Sequence, residues 1–314
     1  MIIFITGITG FVGTHLVREL SSMNAEVFGT AYPEIPENWG VCDADNVCFL
    51  DIRKHEDLSA LVAEIQPDWV FHLAAVSNVK HSWEKRKETL ETNLTGTFNL
   101  FEALRLKAPI ARTLFVSSSD VYGVVSPAAG AIKEQDAVDP VNPYALTKIG
   151  GELLCRFYAQ SEGLDIVIAR PFSHTGPGQN PDFVCSDWAF QIAQIEKKRK
   201  GPKIKVGNID VQRDFLDVRD VVHAYIKLME KGIKGEVYNI SSGAATSLRE
   251  ILATLLSFSV ETIEVEVDPQ RQRKIDIPLM VGDSRKLRHL TSWEPEIPLS
   301  RTLHELLEHW RSRM

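Results

Sequence analysis

Tyr144 and Lys148 stand one helical turn apart in P-Y-A-L-T-K, and upstream the serines Ser117 to Ser119 end the apolar run Leu114-Phe115-Val116. At this spacing a phenol and an ammonium share a helix face, where the cation can stabilise the phenolate. A free tyrosine ionises near about 10, so proton exchange at neutral pH needs such help. Ser118 adds a hydroxyl at the end of a buried strand, where parallel strands open into ligand crevices. Taken alone, Tyr-x-x-x-Lys is also a common surface pair on an amphipathic helix. The elements around it decide between the two readings.

Residues 1–6 form an apolar strand that runs into G-I-T-G-F-V-G, with Gly7, Gly10 and Gly13, before a helix over 14–20. Strand, glycines and helix in that order make a dinucleotide loop: the first glycine permits a tight turn, the second lets backbone approach a pyrophosphate, and the third lets the helix pack closely. A second strand over 26–32 ends at Thr30 and Ala31, where a ribose contact is expected. It carries neither the acid suited to NAD nor the arginine suited to NADP. The third strand, 47–50, ends at Asp51-Ile52, and Asp51 is equally placed to reach an adenine amino group or to cap the helix that follows. The fourth strand, 69–75, passes Leu73 and ends in the small residues Ala74-Ala75, which let a cofactor approach. The polar stretch 77–82, beginning at Ser77, is a candidate pocket lining. A helix over 88–106 contains Asn93 and Gly96; a glycine there costs about 1 kcal/mol against alanine unless close packing requires it. Asn93 reads either as a polar residue in a helix kink linked to the lysine or as an exposed amide.

Strands over 113–117 and 165–170, with the helix from Pro143 between them, complete the regular alternation, which ends in the Gly/Pro-rich loop after Pro171. Helices over 182–200, 221–231, 248–256 and 299–313, and short strands over 204–207, 237–240 and 263–267, follow. Arg213 and Arg219 are candidate phosphate ligands, although Asp217 and Asp220 flank Arg219 and favour an ion pair. Arg271, Arg273 and Lys274 form a cationic loop suited to a diphosphate. The net charge of -7 excludes a nucleic-acid surface, and the four cysteines show no metal spacing and are expected to be reduced thiols. No apolar run is long enough to span a bilayer and the apolar start is too short for a signal peptide, so a cytoplasmic protein is expected.

With the glycine loop, Ser118, Tyr144, Lys148 and this order of elements, the whole chain resembles the extended short-chain dehydrogenase/reductase family. The expected fold is α/β, a Rossmann-type doubly wound parallel sheet over 1–171 with segments near 208–235 returning to it, and a smaller C-terminal substrate-binding lobe over 172–314. More narrowly, F-S-H-T-G-P-G-Q from Phe172, V-G-N from Val206, R-D-F-L-D-V-R-D from Arg213 and R-K-I-D-I-P from Arg273 are similar to the GDP-4-keto-6-deoxy-mannose reductase branch. GDP-mannose 4,6-dehydratase, a relative, makes the substrate of that branch.

The resemblance implies NAD(P)H-dependent reduction of a nucleotide-linked 4-keto-6-deoxy-hexose, GDP-4-keto-6-deoxy-D-mannose to GDP-D-rhamnose. Tyr144 would protonate the C4 oxygen, Lys148 lower the phenol's pKa and hold the nicotinamide ribose, and Ser118 bind the carbonyl, with hydride from NADPH or NADH. Thr9, Phe11 and Val12 would join the glycines at the cofactor, with Thr30, Asp51, Ile52, Leu73, Ala74, Ala75, Asn93 and Arg170. Ser77, Ser173, His174, Val184, Arg213, Arg273 and Asp276 would meet the substrate. Ser173 stands where the family commonly has Asn, and Lys274 where it has Pro. Asp120 occupies the place of a dehydratase glutamate, one methylene shorter, and a 4-epimerase would use the same triad without it. A non-catalytic NAD(P) sensor would be expected to lose Tyr144 or Lys148. The resemblance also implies a homodimer through helices near 88–106 and 144–161.

Overall fold

The computed structural model of the chain describes residues 1–35, 39, 41, 46–126, 130–271 and 276–314. Arg273, Lys274 and Cys42 therefore lie outside the described residues.

In chain order the first half alternates strand and helix: β1 (Ile2–Thr6), α1 (Phe11–Leu20), β2 (Glu26–Ala31), β3 (Val47–Phe49), α2 (His55–Ile65) and β4 (Trp69–His72). Two short helices, α3 (Val79–Glu84) and α4 (Arg86–Leu90), lead through a π-helical turn, Glu91–Thr95, into α5 (Gly96–Lys107). β5 (Arg112–Val116), a 3-10 turn (Ser119–Tyr122), α6 (Pro143–Ser161) and β6 (Asp165–Pro171) complete this half. The second half contains β7 (Ser173–Thr175), α7 (Val184–Glu196), β8 (Lys203–Val206), β9 (Gln212–Arg213), β10 (Phe215–Asp217), α8 (Val218–Lys231) and β11 (Val237–Ile240). It ends with β12 (Thr246–Ser247), α9 (Leu248–Ser257), β13 (Glu264–Val267), β14 (Leu279–Met280), α10 (Arg285–Thr291) and α11 (Leu299–Arg311).

Seven strands form one parallel sheet in the order β11-β6-β5-β4-β1-β2-β3. The strand order reverses direction between β1 and β4, and the crevice outside their carboxyl ends is where such sheets bind ligands. Both faces are covered, as the unbroken apolar runs of β1 and β6 require. On one side Ile3, Ile5, Leu16, Val221 and Tyr225 pack among α1, α8 and the sheet. On the other, Phe4, Val70, Leu100, Phe101, Tyr158 and Ile166 pack among α2, α5, α6 and the sheet. Burying one such side chain contributes about 1.5–3 kcal/mol. Gly96 is explained by this packing: a Cβ there would come within 2.5 Å of Ile52 Cδ1.

A separate apolar cluster joins α7, α9, α11 and β8 through Trp188, Ile192, Ile204, Ile251, Leu255 and Leu306. The short strands of this lobe are tied by carboxylates. Buried Asp214 accepts bonds from Ser242 N and Oγ, Gly243 N and Gly282 N at 2.8, 2.6, 2.9 and 3.2 Å. Asp220 accepts from Glu296 N and Ile297 N, both at 3.1 Å. Asp217 caps α8 at Arg219 N and receives Thr302 Oγ1 at 2.7 Å. The charged motif from Arg213 is thus a set of buried staples as well as a surface, a role its composition does not announce. The helix expected over 88–106 is broken by the π turn, and β13 pairs with β8 in parallel, so it is an edge of a two-stranded sheet.

Candidate active site

The glycine loop leaves β1 by a turn that needs glycine. Gly7 has φ +73°, and a Cβ there would lie 2.9 Å from Ala74 Cα. Gly7 N and Ile8 N donate to the Thr30 carbonyl at 2.9 and 3.0 Å. At Gly13 a Cβ would meet the Ile8 carbonyl at 2.4 Å, so α1 sits tight under the loop. Gly10 is the N-cap of α1 and offers no side-chain cap, which leaves the first-turn N–H groups as donors for an anion. Uncapped donors, a bare loop and the close approach of Ala74 fit the pyrophosphate of a dinucleotide. Thr9, Phe11, Val12, Leu73 and Ala75 border the same opening and remain partly accessible.

One expectation at this end changes and one is narrowed. The Thr30 side chain is buried and the residue supports the loop through its carbonyl, so it is not the ribose contact; Tyr32, half exposed, stands beyond the strand end. Asp51 does not cap α2, whose N-cap is Lys54. Its carboxylate is gripped by Arg53 at 2.9 and 2.6 Å, and those bonds overcome burial to hold it below the usual carboxylate range. Ile52 is buried against Gly96.

Ser118, Tyr144 and Lys148 come together at the carboxyl end of β5. Ser118 caps the 3-10 turn, accepting from Asp120 N at 3.1 Å, and its hydroxyl is near enough to the Tyr144 phenol to favour the phenolate, a smaller effect than those that oppose it. Pro143 at the first helical position and Asn142 as N-cap, accepting from Ala145 N, fix where α6 begins and hence where Tyr144 points. Lys148 Nζ donates to the Val116 carbonyl at 2.8 Å and lies 5.7 Å from the Tyr144 ring centroid. Burial lowers Lys148 to about 8. The expectation that Lys148 depresses the phenol is not met in this arrangement. Burial first, and then the nearby Asp120 charge, push Tyr144 well above its ordinary value. The phenol is held neutral, the form a proton donor needs.

Asn93 resolves in favour of the kink. It is buried inside the π turn, where its Oδ1 accepts from Val76 N at 2.8 Å and its Nδ2 donates to the Val76 carbonyl and to Thr147 Oγ1 at 3.1 and 2.9 Å. Thr147 in turn donates to the Tyr144 carbonyl at 2.7 Å. Asn93 therefore ties the exit of β4 to the catalytic helix. Arg170 is the clearest correction: its side chain is 2% exposed and paired with Glu152, so it does not reach a cofactor.

On the substrate side the residues are spread around the crevice. His174 Nδ1 meets the Phe172 carbonyl at 3.0 Å and its ring stacks on Phe11, 6.3 Å between centroids, joining the glycine loop to the loop after β6. Burial lowers its pKa, keeping it neutral. Ser77 is exposed; Ser173 on β7 and Val184 at the start of α7 are partly buried. Arg213 donates to the Ile277 carbonyl at 2.6 Å, and Asp276 accepts from Asn208 at 2.9 Å, so these two brace the same loop. Arg219 pairs with Asp217 and Glu305, and is not a phosphate ligand. The motifs do not single out Glu152, although Tyr144, Lys148 and Glu152 repeat at four-residue spacing on one helix face.

A dinucleotide loop opening onto a serine, a neutral phenol and a lysine at one strand end defines an NAD(P)-dependent oxidoreductase of the extended short-chain type. A family model described as GDP-mannose 4,6 dehydratase matches residues 4–306, and the chain belongs to that family. GDP-6-deoxy-D-mannose reductase of Pseudomonas aeruginosa is 36% identical over 312 residues, covering 99% of this chain and 98% of the relative. UDP-glucose 4-epimerase of Mycolicibacterium smegmatis is 29% identical, covering 98% of each. Among solved structures, RMD from Pseudomonas aeruginosa complexed with NADPH matches with a TM-score of 0.88 at 35% identity, over 100% of this chain and 99% of the other. Thermus thermophilus UDP-glucose 4-epimerase in complex with NAD reaches 0.90 at 26% identity, over 100% of both chains.

Proposed function

We propose that this enzyme reduces the C4 ketone of a nucleotide-linked 4-keto-6-deoxy-hexose, GDP-4-keto-6-deoxy-D-mannose to GDP-D-rhamnose, with NADPH or NADH. The observation that carries this reading is the 36% identity, across nearly the whole chain, to a GDP-6-deoxy-D-mannose reductase. The geometry supports it. When bound, the reduced nicotinamide supplies a hydride for C4. Ser118 donates a hydrogen bond to the carbonyl oxygen, and Tyr144 gives its phenolic proton to that oxygen as charge develops there. The ketone gains one hydride and one proton and becomes an alcohol. Lys148 keeps a positive charge beside the phenolate left behind and is placed to hold the nicotinamide ribose.

The chain has no helix, among its described residues, long and apolar enough to cross a membrane. We assign it to the cytoplasm, where the thiols of Cys48, Cys155 and Cys185, unpaired with one another, would stay reduced. Exposed Leu90, Phe98 and Leu106 before and along α5, and Leu146, Leu153 and Phe157 along α6, form an apolar face suited to a second copy of the chain.

The Asp120 charge acts on Tyr144, and an extra carboxylate beside the triad is what a 4,6-dehydratase requires. The two readings separate in one assay. The enzyme is given GDP-4-keto-6-deoxy-D-mannose with NADPH or NADH, and separately GDP-mannose without added cofactor, and products are identified by mass and NMR. Reduction of the first supports the reductase. Formation of a 4-keto-6-deoxy sugar from the second overturns it in favour of dehydration.

A further inference from the structure

Beneath the triad lies a charged pair that the hydride and proton steps do not use. Glu152 and Arg170, 0% and 2% exposed at their side chains, meet through two bonds, Nε to Oε1 at 2.8 Å and Nη2 to Oε2 at 2.6 Å. Buried ion pairs are a poor source of stability, since apolar residues of similar volume often serve as well. The neighbours of this pair point to another role. Ser117, next to Ser118, donates its hydroxyl to Glu152 Oε1 at 2.6 Å. Arg170 Nη1 donates to the Tyr122 hydroxyl at 2.9 Å and to the Glu134 carbonyl at 3.2 Å. Tyr122 ends the 3-10 turn that carries Asp120, and its hydroxyl donates onward to Asn239 Oδ1 at 2.7 Å. Glu152 lies one turn beyond Lys148 on α6. Each of the segments that present reacting groups, the exit of β5, the 3-10 turn and α6, is therefore bonded to the same buried pair.

We propose that the Glu152–Arg170 pair is the positioning device of the triad: it locks the exit of β5 and the 3-10 turn to the catalytic helix, and it sets a fixed anion beneath Lys148. The inference rests on the reading of Ser118, Tyr144 and Lys148 as the reacting groups. Around Lys148, its own helix contributes Tyr144, Glu152 and the Cys155 thiol, β5 contributes the Phe115 ring at 5.4 Å and the Val116 carbonyl, and β4 contributes His72. His72 is kept neutral by burial and bonded to Thr6 and Thr97, and burial keeps the Cys155 thiol protonated. Against its own desolvation the ammonium is favoured by the Cys155 sulfur and by Glu152, of which the carboxylate, paired with Arg170, is the one that carries a standing charge. Without it Lys148 loses its proton at lower pH, and the alkaline fall in activity moves towards neutrality.

The test compares wild type, Glu152→Gln and the double variant Glu152→Met/Arg170→Met, each saturated with NADPH, on the 4-keto sugar nucleotide. Thermal unfolding, NADPH affinity by fluorescence titration, and kcat and KM across pH are measured. Both variants should lose about 10- to 100-fold in kcat, with KM and NADPH affinity within about twofold of wild type. Their alkaline limb should shift to lower pH. Glu152→Gln should also unfold at lower temperature because Arg170 is left unpaired, whereas the double variant should keep its melting temperature. If Glu152→Gln does not fold, the double variant decides. Wild-type kcat and an unmoved alkaline limb in the double variant overturn the proposal and leave the pair a packing element. A wild type that binds NADPH but reduces no 4-keto sugar nucleotide sinks the functional reading, and this inference with it.

Discussion

Around the glycine loop, β1, β2, β4 and β5 align in parallel over four or five residues and bury both faces in continuous apolar layers. In the C-terminal lobe, β9, β12 and β14 are two residues long each, and buried carboxylates join segments remote in sequence. The first region is specified by periodicity, so many small contacts share the work. The second is specified by a few polar groups, each indispensable to the backbone donors it satisfies. The proposed active site lies where the two meet, with Tyr144 on the regular side and the loop after β6 on the other.

That contrast orders the expected effects of substitution. Tyr144→Phe removes the proposed proton donor at the seam and should lower kcat by about 100- to 10,000-fold while NADPH affinity, read by fluorescence titration, stays near wild type. Wild-type turnover would end the assignment of Tyr144. Asp214→Ala, in the lobe, strands the N–H groups of Ser242, Gly243 and Gly282 and should cost about 3 kcal/mol or more in urea unfolding. A loss of under about 1 kcal/mol would mean that the lobe shares its load as the sheet does. Gly7→Ala, in the sheet half, forces a side chain into a φ of +73° against Ala74. It should weaken NADPH binding by about tenfold, equivalent to about 1.4 kcal/mol, and leave KM for the sugar nucleotide nearly unchanged. Equal losses in both would overturn the proposed division between a cofactor half and a substrate half.

The same contrast explains what could be read from the residues. The parallel sheet was legible because apolar runs, glycines and helix periods are local signals, and the meeting of Ser118, Tyr144 and Lys148 follows from strand ends and one helical turn. The pairing of Asp217 with Arg219 is legible because the two are neighbours, whereas the distant partners of Asp214, Asp217 and Asp220, up to 85 residues away, carry no local mark. The resemblance places Arg170 at the cofactor, and nothing local to the residue corrects it. An arginine ending a strand beside the crevice looks available until Glu152, on another element, is seen to claim it. Lys148 shows a subtler gap: spacing placed it near the phenol, but desolvation and the neighbouring Asp120 charge, both products of packing, set the direction of the Tyr144 shift.

The π turn at Glu91–Thr95 has a consequence for how this chain tolerates change in length. A helix advances about 100° per residue, so one residue more or fewer there rotates everything on one side relative to the other. Deleting a single residue would repair the helix, yet swing Asn93 away from Val76 and Thr147. Elsewhere on an exposed helix a deletion is a matter of local stability. At this turn, the shorter and more regular protein would be the one in which the exit of β4 is no longer tied to α6.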